Sequence, residues 1–210
     1  MSGPCRASFL ALGLVLACGP TPSATTQAGA SPSSPSGPER APESSGFDGA
    51  AGEWEAREAG LRLRLPDRAG WSELASKDWV VLQHPRAHAS FRLRLTRAAR
   101  LVTPNECLDD ARLRDPELPV LDEEEVVERR ALVAPDHFSG EVVLGVREAG
   151  PSVHGYAVAR GAAIGKCYVA VFESAASGAG RESVIAARLR AIAQSLDSVE
   201  VPSVEDRLGR

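Results

Sequence analysis

Residues 141–173 read EVVLGVREAGPSVHGYAVARGAAIGKCYVAVFE, the pattern of an antiparallel strand meander. Three runs rich in β-branched and aromatic residues, 141–147, 153–160 and 166–173, are separated by turn residues: Ala149-Gly150-Pro151-Ser152 and the glycine-bounded 161–165. Connections this short join antiparallel neighbours, because a parallel pair needs a crossover of about a dozen residues. The second and third runs are apolar on both faces (Tyr156, Ala157 and Val158; Tyr168, Val169, Val171 and Phe172), which predicts two central strands. A fourth run, 125–133, precedes them and is joined to them through Pro135-Asp136. Immediately downstream, Val184, Ile185, Leu189, Ile192 and Leu196 repeat at helical spacing, predicting a closing helix over about 181–196 whose apolar stripe lies across the sheet.

The upstream part of the chain extends the same architecture. Leu61-Arg62-Leu63-Arg64-Leu65 alternates strictly and stops at Pro66, as a half-buried strand should. A turn over 67–71 delivers Trp71, and two further strands follow at Trp79-Val80-Val81-Leu82 and Phe91-Arg92-Leu93-Arg94-Leu95, separated by His84-Pro85-Arg86-Ala87. Thr103-Pro104-Asn105-Glu106 is a helix start, with Thr at the cap, Pro in the first helical position and Glu three residues on. That helix should end near 112–114, before Asp115-Pro116. The fold class is therefore α+β: a mainly antiparallel sheet, a helix in mid-domain, and a long C-terminal helix packed on the sheet. It occupies 53–200 as a single domain, with 201–210 a disordered tail.

Of 210 residues, 24 are Lys or Arg and 28 Asp or Glu, for a net charge of −4. This excludes the strongly basic footprint of a nucleic-acid binder, whose domain pI would exceed about 9. Composition is uneven along the chain. Residues 1–18 read MSGPCRASFLALGLVLAC, with one cation, Arg6, ahead of an apolar run of 11 residues over 7–17. A secretory apolar region runs about 7–15 residues, and a membrane span needs about 20. From 19 to 52, 28 of 34 residues are Pro, Gly, Ser, Ala or Thr, and Phe47 is the single aromatic. Such a segment buries too little apolar surface to offset its ordering entropy, so it is expected to be a disordered tether reaching roughly 30 Å.

Val15-Leu16-Ala17-Cys18, an aliphatic residue followed by two others and a cysteine, resembles the lipobox of bacterial lipoproteins. The resemblance implies a signal peptide over 1–17, diacylglyceryl attachment at the Cys18 thiol, cleavage before Cys18, and acylation of the new terminus. It places the domain in the cell envelope, exported and held to a membrane through the lipid anchor. Gly19 in place of an Asp favours the outer membrane over the inner one in a diderm organism. The competing reading is ordinary cleavage with Cys18 a bystander. The folded part also resembles a PsbP-like α/β sandwich, through the 61–66 strand, Trp71 and the helix ending Ala193-Gln194-Ser195-Leu196. That family is characterised by shape, so the resemblance implies no catalytic residues.

With Cys5 removed and Cys18 lipidated, Cys107 and Cys167 remain as a pair in an oxidising compartment, which favours a disulfide. No Cys-x-x-Cys spacing supports the rival, a redox-active thiol pair. His84-x-x-x-His88 has metal-site spacing, but Pro85 interrupts any helix across it, and His137 and His154 lie far off, so no metal is expected. Asp122-Glu123-Glu124-Glu125 reads as a solvated loop. Ser177-Gly178-Ala179-Gly180 opens a helix but lacks the third glycine of a dinucleotide fingerprint, so no cofactor is expected. Ser139 and Ser152 lack the setting of a hydrolase nucleophile elbow.

One pattern suggests recognition. Arg62, Arg64, Arg92 and Arg94 sit at alternate positions of two similar strands, and neighbouring strands would make them an arginine ladder for an anionic glycan or an envelope protein. The bland reading pairs them with Glu128 and Glu141 across strands. The function expected is a non-enzymatic, lipid-anchored envelope protein presenting a small binding or assembly domain. The alternative is an envelope hydrolase with a dispersed site, which a deep pocket joining His154, Asp136 and a serine would support.

Overall fold

Leu61, Leu63 and Leu65 are buried while Arg62 and Arg64 point outward, so the alternation of the second strand works as written. The computed structural model describes residues 45–56, 60–132 and 138–200, all within the compact unit Arg40–Arg210. The signal-peptide segment, Cys18, most of the tether, Asp136, His137 and the tail 201–210 lie outside the described residues.

Among the described residues two sheets form. β1 (Gly52–Ala56) and β2 (Leu61–Leu65) pair antiparallel as a separate hairpin. The main sheet contains β3 (Ser72–Leu74), β4 (Val80–His84), β5 (Ala89–Arg97), β6 (Val126–Ala131), β7 (Ser139–Ala149), β8 (Ser152–Ala163) and β9 (Lys166–Ser177). Their order is β3-β4-β5-β9-β8-β7-β6, antiparallel throughout. The helices are α1 (Pro104–Arg114) and α2 (Arg181–Asp197). The expected class, an antiparallel sheet with a mid-domain helix and a C-terminal helix on the sheet, is the one observed.

β9 and β8 hold the centre because both their faces are apolar. Tyr168, Ala170 and Phe172 point to one side of β9, with α2 and the β1–β2 hairpin; Cys167, Val169 and Val171 point to the other, with α1. Fully burying a side chain the size of Val or Phe contributes about 1.5–3 kcal/mol each. An edge strand would forfeit part of that. The edges are managed differently: β3 has three residues, and β6 carries a bulge between Val126 and Glu128 and a run of charges.

The two helices differ in how they are held. α2 buries Ile185, Leu189, Ile192 and Leu196 along one stripe and lies close to β8. A Cβ on Gly155 would sit 2.5 Å from the Ile185 Cγ2 atom, so the absent side chain sets that approach. α1 starts in the expected capping box: the Glu106 N–H donates to Thr103 Oγ1 at 3.3 Å, and the Thr103 N–H to Glu106 Oε2 at 2.7 Å. It buries Cys107, Leu108 and Ala111, and the disulfide Cys107–Cys167 ties it to β9.

Two elements went unforeseen. β1 reads Gly-Glu-Trp-Glu-Ala, with only Trp54 and Ala56 buried, too short a pattern to register. Residues 45–51, assigned by composition to the tether, lie against the domain: the Phe47 ring centroid is 5.1 Å from that of His84 and 5.9 Å from that of Trp71. The chain thus contacts the domain from Ser45 onward, eight residues before position 53.

Candidate functional site

The β4–β5 connection is a tight turn over Pro85–Ala87, and it fixes both histidines of the His-x-x-x-His spacing. His84 ends β4 fully buried. Its Nδ1 accepts from the Ala87 N–H at 3.1 Å, so Nε2 carries the proton and donates to Asp67 Oδ2 at 3.0 Å. Asp67 is itself buried, in a left-handed conformation with φ 43°. Gly70 permits the packing, because a Cβ there would lie 2.1 Å from His84 Nε2. Enclosed by Trp71 and Phe47, this pair is a structural brace out of reach of solvent. His88 leaves the turn exposed, also at positive φ (44°). The two histidines therefore do not converge, and no group of three metal-ligating side chains occurs among the described residues.

α1 covers only one end of its face of the sheet. At the other end β4, β5, β8 and β9 leave an open groove of about 530 Å³, lined among others by Gln83, His88, Ser90, His154 and Glu173. Period-2 alternation puts Ser90, Glu173 and His154 on the same face as Arg92. Arg92 bonds Glu173 and, at 2.9 Å, Asp115, which locks the groove floor to the segment after α1. His154 stacks on Tyr156 with ring centroids 6.4 Å apart, and the Arg147 guanidinium lies 5.4 Å from the Tyr156 ring centre. Burial pushes the Tyr156 phenol above its ordinary range. The hydrogen bond from Arg147 holds Glu125 below the usual carboxylate range and keeps Arg147 charged.

The groove offers imidazoles, a hydroxyl and a braced carboxylate. Among the described residues no hydrogen bond joins Ser90 to either imidazole. Ser174, also at the groove, turns its hydroxyl inward, donating to the Ala87 carbonyl at 3.0 Å and accepting from Arg188 Nη1 at 2.8 Å. Arg188 is buried, which lowers its pKa, and its Nε donates to the Ser45 carbonyl, tying the N-terminal segment to the sheet.

The four strand arginines do not form one ladder. β2 pairs with β1, away from β5, so Arg62 and Arg64 face outward from the hairpin while Arg92 and Arg94 face α1. Arg62 lies 3.8 Å from Glu55. Arg94 is buried, 3.5 Å from Asp110 and 6.0 Å from the Trp79 ring centre; burial and the Arg114 charge lower its pKa. Their carboxylate partners are not the expected ones, since Glu128 pairs with Arg130 and Glu141 with Arg160. Asp67, Ser90, Arg147 and Glu173 escaped sequence reasoning because each lacks a motif and acquires its neighbours through strand pairing.

No family model matches the chain, and no curated protein matches it, which leaves the PsbP-like resemblance an expectation. Several solved structures are similar to it at low identity. The Ran-binding protein Mog1p of Saccharomyces cerevisiae is 10% identical over 72% of this chain and 95% of that one, with a TM-score of 0.45. LpqN of Mycobacterium tuberculosis, involved in cell envelope biogenesis, is 15% identical over 73% and 91%, with a TM-score of 0.41. A Bacteroides thetaiotaomicron protein is 7% identical with a TM-score of 0.43, and this chain spans about half its length (49%). At these values the likeness carries no argument about fold, ligand or partner. Among the described residues no helix is long and apolar enough to cross a membrane.

Proposed function

We propose that the chain is a non-enzymatic, lipid-anchored protein of the cell envelope whose α+β domain binds a partner through the uncovered end of the α1 face. The anchor rests on the lipobox-like Val15–Cys18 stretch and the Pro/Ser/Gly/Ala tether that follows it. One observation carries the binding reading: an open groove of about 530 Å³ at one end of the α1 face, whose floor is braced by the Arg92–Glu173 pair. A preorganised polar floor loses little side-chain freedom on binding. This site replaces the four-arginine ladder as the recognition surface.

The hydrolase alternative draws on the same groove, where His154 and Ser90 both lie. Two experiments separate the readings. Cys18→Ala should abolish acyl labelling and release the chain from membranes; retained labelling would remove the anchor. A photo-crosslinking residue at Ser90 should give discrete adducts in native membranes, while one at the exposed Arg190 on α2 should not. Equal patterns at both positions refute the binding face. Ester turnover lost in Ser90→Ala would instead favour the enzyme.

A further inference from the structure

At the end of the sheet opposite the groove, the turn Ile164-Gly165 joins β8 to β9. Its conformation calls only for Gly165, whose φ is 70°. Ile164 buries nothing there: it is 87% exposed, more than any other large apolar side chain among the described residues. A second loop lies beside it. The Ala98 N–H donates to the Gly165 carbonyl at 2.9 Å, and three residues further on Leu101 is 74% exposed. The Cys107–Cys167 disulfide ties together the segments that follow the two loops.

A single exposed apolar side chain needs no explanation. This pair, however, is flanked by positive charge. Arg97 and Lys166 stand directly opposite each other across β5 and β9, at the base of the two loops. Like charges in that position destabilise a sheet, so folding gives no reason to place them there. Arg100, also exposed, pairs with Glu106, and the next charges inward on β7 and β8, Glu141 and Arg160, pair with each other. The tip therefore combines exposed aliphatic side chains with a net positive rim.

We propose that this tip docks on a membrane surface containing anionic lipid, Ile164 and Leu101 entering the interface while Arg97 and Lys166 meet headgroup phosphates. The contact rests on the lipid anchor of the proposed function, which keeps the domain beside a bilayer. Chain length favours this occupant. Arg188 holds Ser45 beside Ala175, and from Ala175 back to Lys166 β9 runs about 30 Å at about 3.4 Å per residue. The 26 residues 19–44, taken as the flexible tether, span roughly 25–30 Å. A linker whose span matches the distance between two attachment points gives the second contact its highest effective concentration. Docking at the tip holds the groove at the membrane-distal end of β8 and β9, open to a partner.

The test places an environment-sensitive fluorescent amino acid at position 99, between the exposed side chains, in the full chain. The chain is mixed with phosphatidylcholine vesicles, with and without phosphatidylglycerol, whose acyl chains are brominated to quench an inserted fluorophore. The same label in place of Arg190 on α2 is the control. Flotation with the vesicles reports attachment, and quenching reports the tip. With phosphatidylglycerol present, the label at 99 should shift to the blue and be quenched, and the label at 190 should do neither. Ile164→Ser and Leu101→Ser should each lower the docked-to-undocked ratio about tenfold, the lower end for burying one large aliphatic side chain. Arg97→Gln combined with Lys166→Gln should abolish the preference for phosphatidylglycerol. Flotation without quenching at 99, equal quenching at 99 and 190, or undiminished quenching in the serine variants overturns the tip and leaves the anchor standing. Quenching at 99 that ignores phosphatidylglycerol overturns the anionic-lipid assignment. Flotation and quenching confined to phosphatidylglycerol vesicles keep the tip and remove the anchor, and a chain that stays off all vesicles refutes both.

Discussion

Reduction of Cys107–Cys167 should detach α1 from the sheet before the rest of the domain yields. The bond joins residues 60 apart in sequence. In the chain-entropy treatment, a closed loop of that length stabilises by about 4 kcal/mol, an upper figure because denatured chains retain some structure. α1 depends on it more than α2 would, since its buried residues are Cys107, Leu108 and Ala111, against a stripe of seven buried residues on α2. A Cys107→Ala/Cys167→Ala variant should therefore melt about 8–16 °C lower, taking about 2–4 °C per kcal/mol for a domain of this size. Hydrogen exchange distinguishes the mechanism: amides of 104–114 should lose protection while those of 181–197 keep theirs below the melting point. An unchanged melting temperature would refute the staple. Uniform loss of protection in both helices would refute the idea that α1 is the locally weak element.

Three further outcomes follow from particular contacts. Glu106, hydrogen-bonded by Arg100 and by Thr103, titrates at about 2 against an ordinary 4.5. A depressed carboxyl stabilises above its unfolded value and stops doing so as pH falls through its folded one; the urea-midpoint gap between wild type and Glu106→Gln should thus be constant above about pH 5 and close near pH 2. Gly155→Ala should destabilise by about 1–3 kcal/mol in urea denaturation, because the new methyl meets Ile185; a stabilising result would show that α2 does not pack this closely on β8. Asp67→Ala should cost about 1–3 kcal/mol by stranding the buried His84 Nε2–H, with Asp67→Asn milder; equal stability of Asp67→Ala and wild type would refute the brace.

The elements themselves were legible in residue order wherever a local rule produces them. Thr103-Pro104-Asn105-Glu106 specifies a capped helix start whatever surrounds it, and the Ile185, Leu189, Ile192 and Leu196 stripe specifies a helix with one buried face. The doubly apolar runs around Tyr156 and Tyr168 identify central strands, and β8 and β9 are central. The groove was illegible for a physical reason. Ser90, His154 and Glu173 are meaningless in sequence and meet only because β5, β8 and β9 pair in one register. The docking of Phe47 was hidden too, since a single aromatic in a Pro- and Ser-rich run gives no period, and its pocket is assembled from Trp71 and His84.

The two arginine-bearing strands mark the boundary most sharply. Leu61-Arg62-Leu63-Arg64-Leu65 and Phe91-Arg92-Leu93-Arg94-Leu95 carry the same alternation, and each becomes a strand with its apolar side inward. The sequence alone determined that much, because side-chain alternation along a strand is a property of the local backbone. Their partners come from long-range packing. β5 lies between β4 and β9, while β2 folds back on β1 in a separate hairpin, so one pair of arginines faces outward from the hairpin and the other is enclosed with α1. Partner choice depends on which distant surfaces can be buried together, and no local period encodes it.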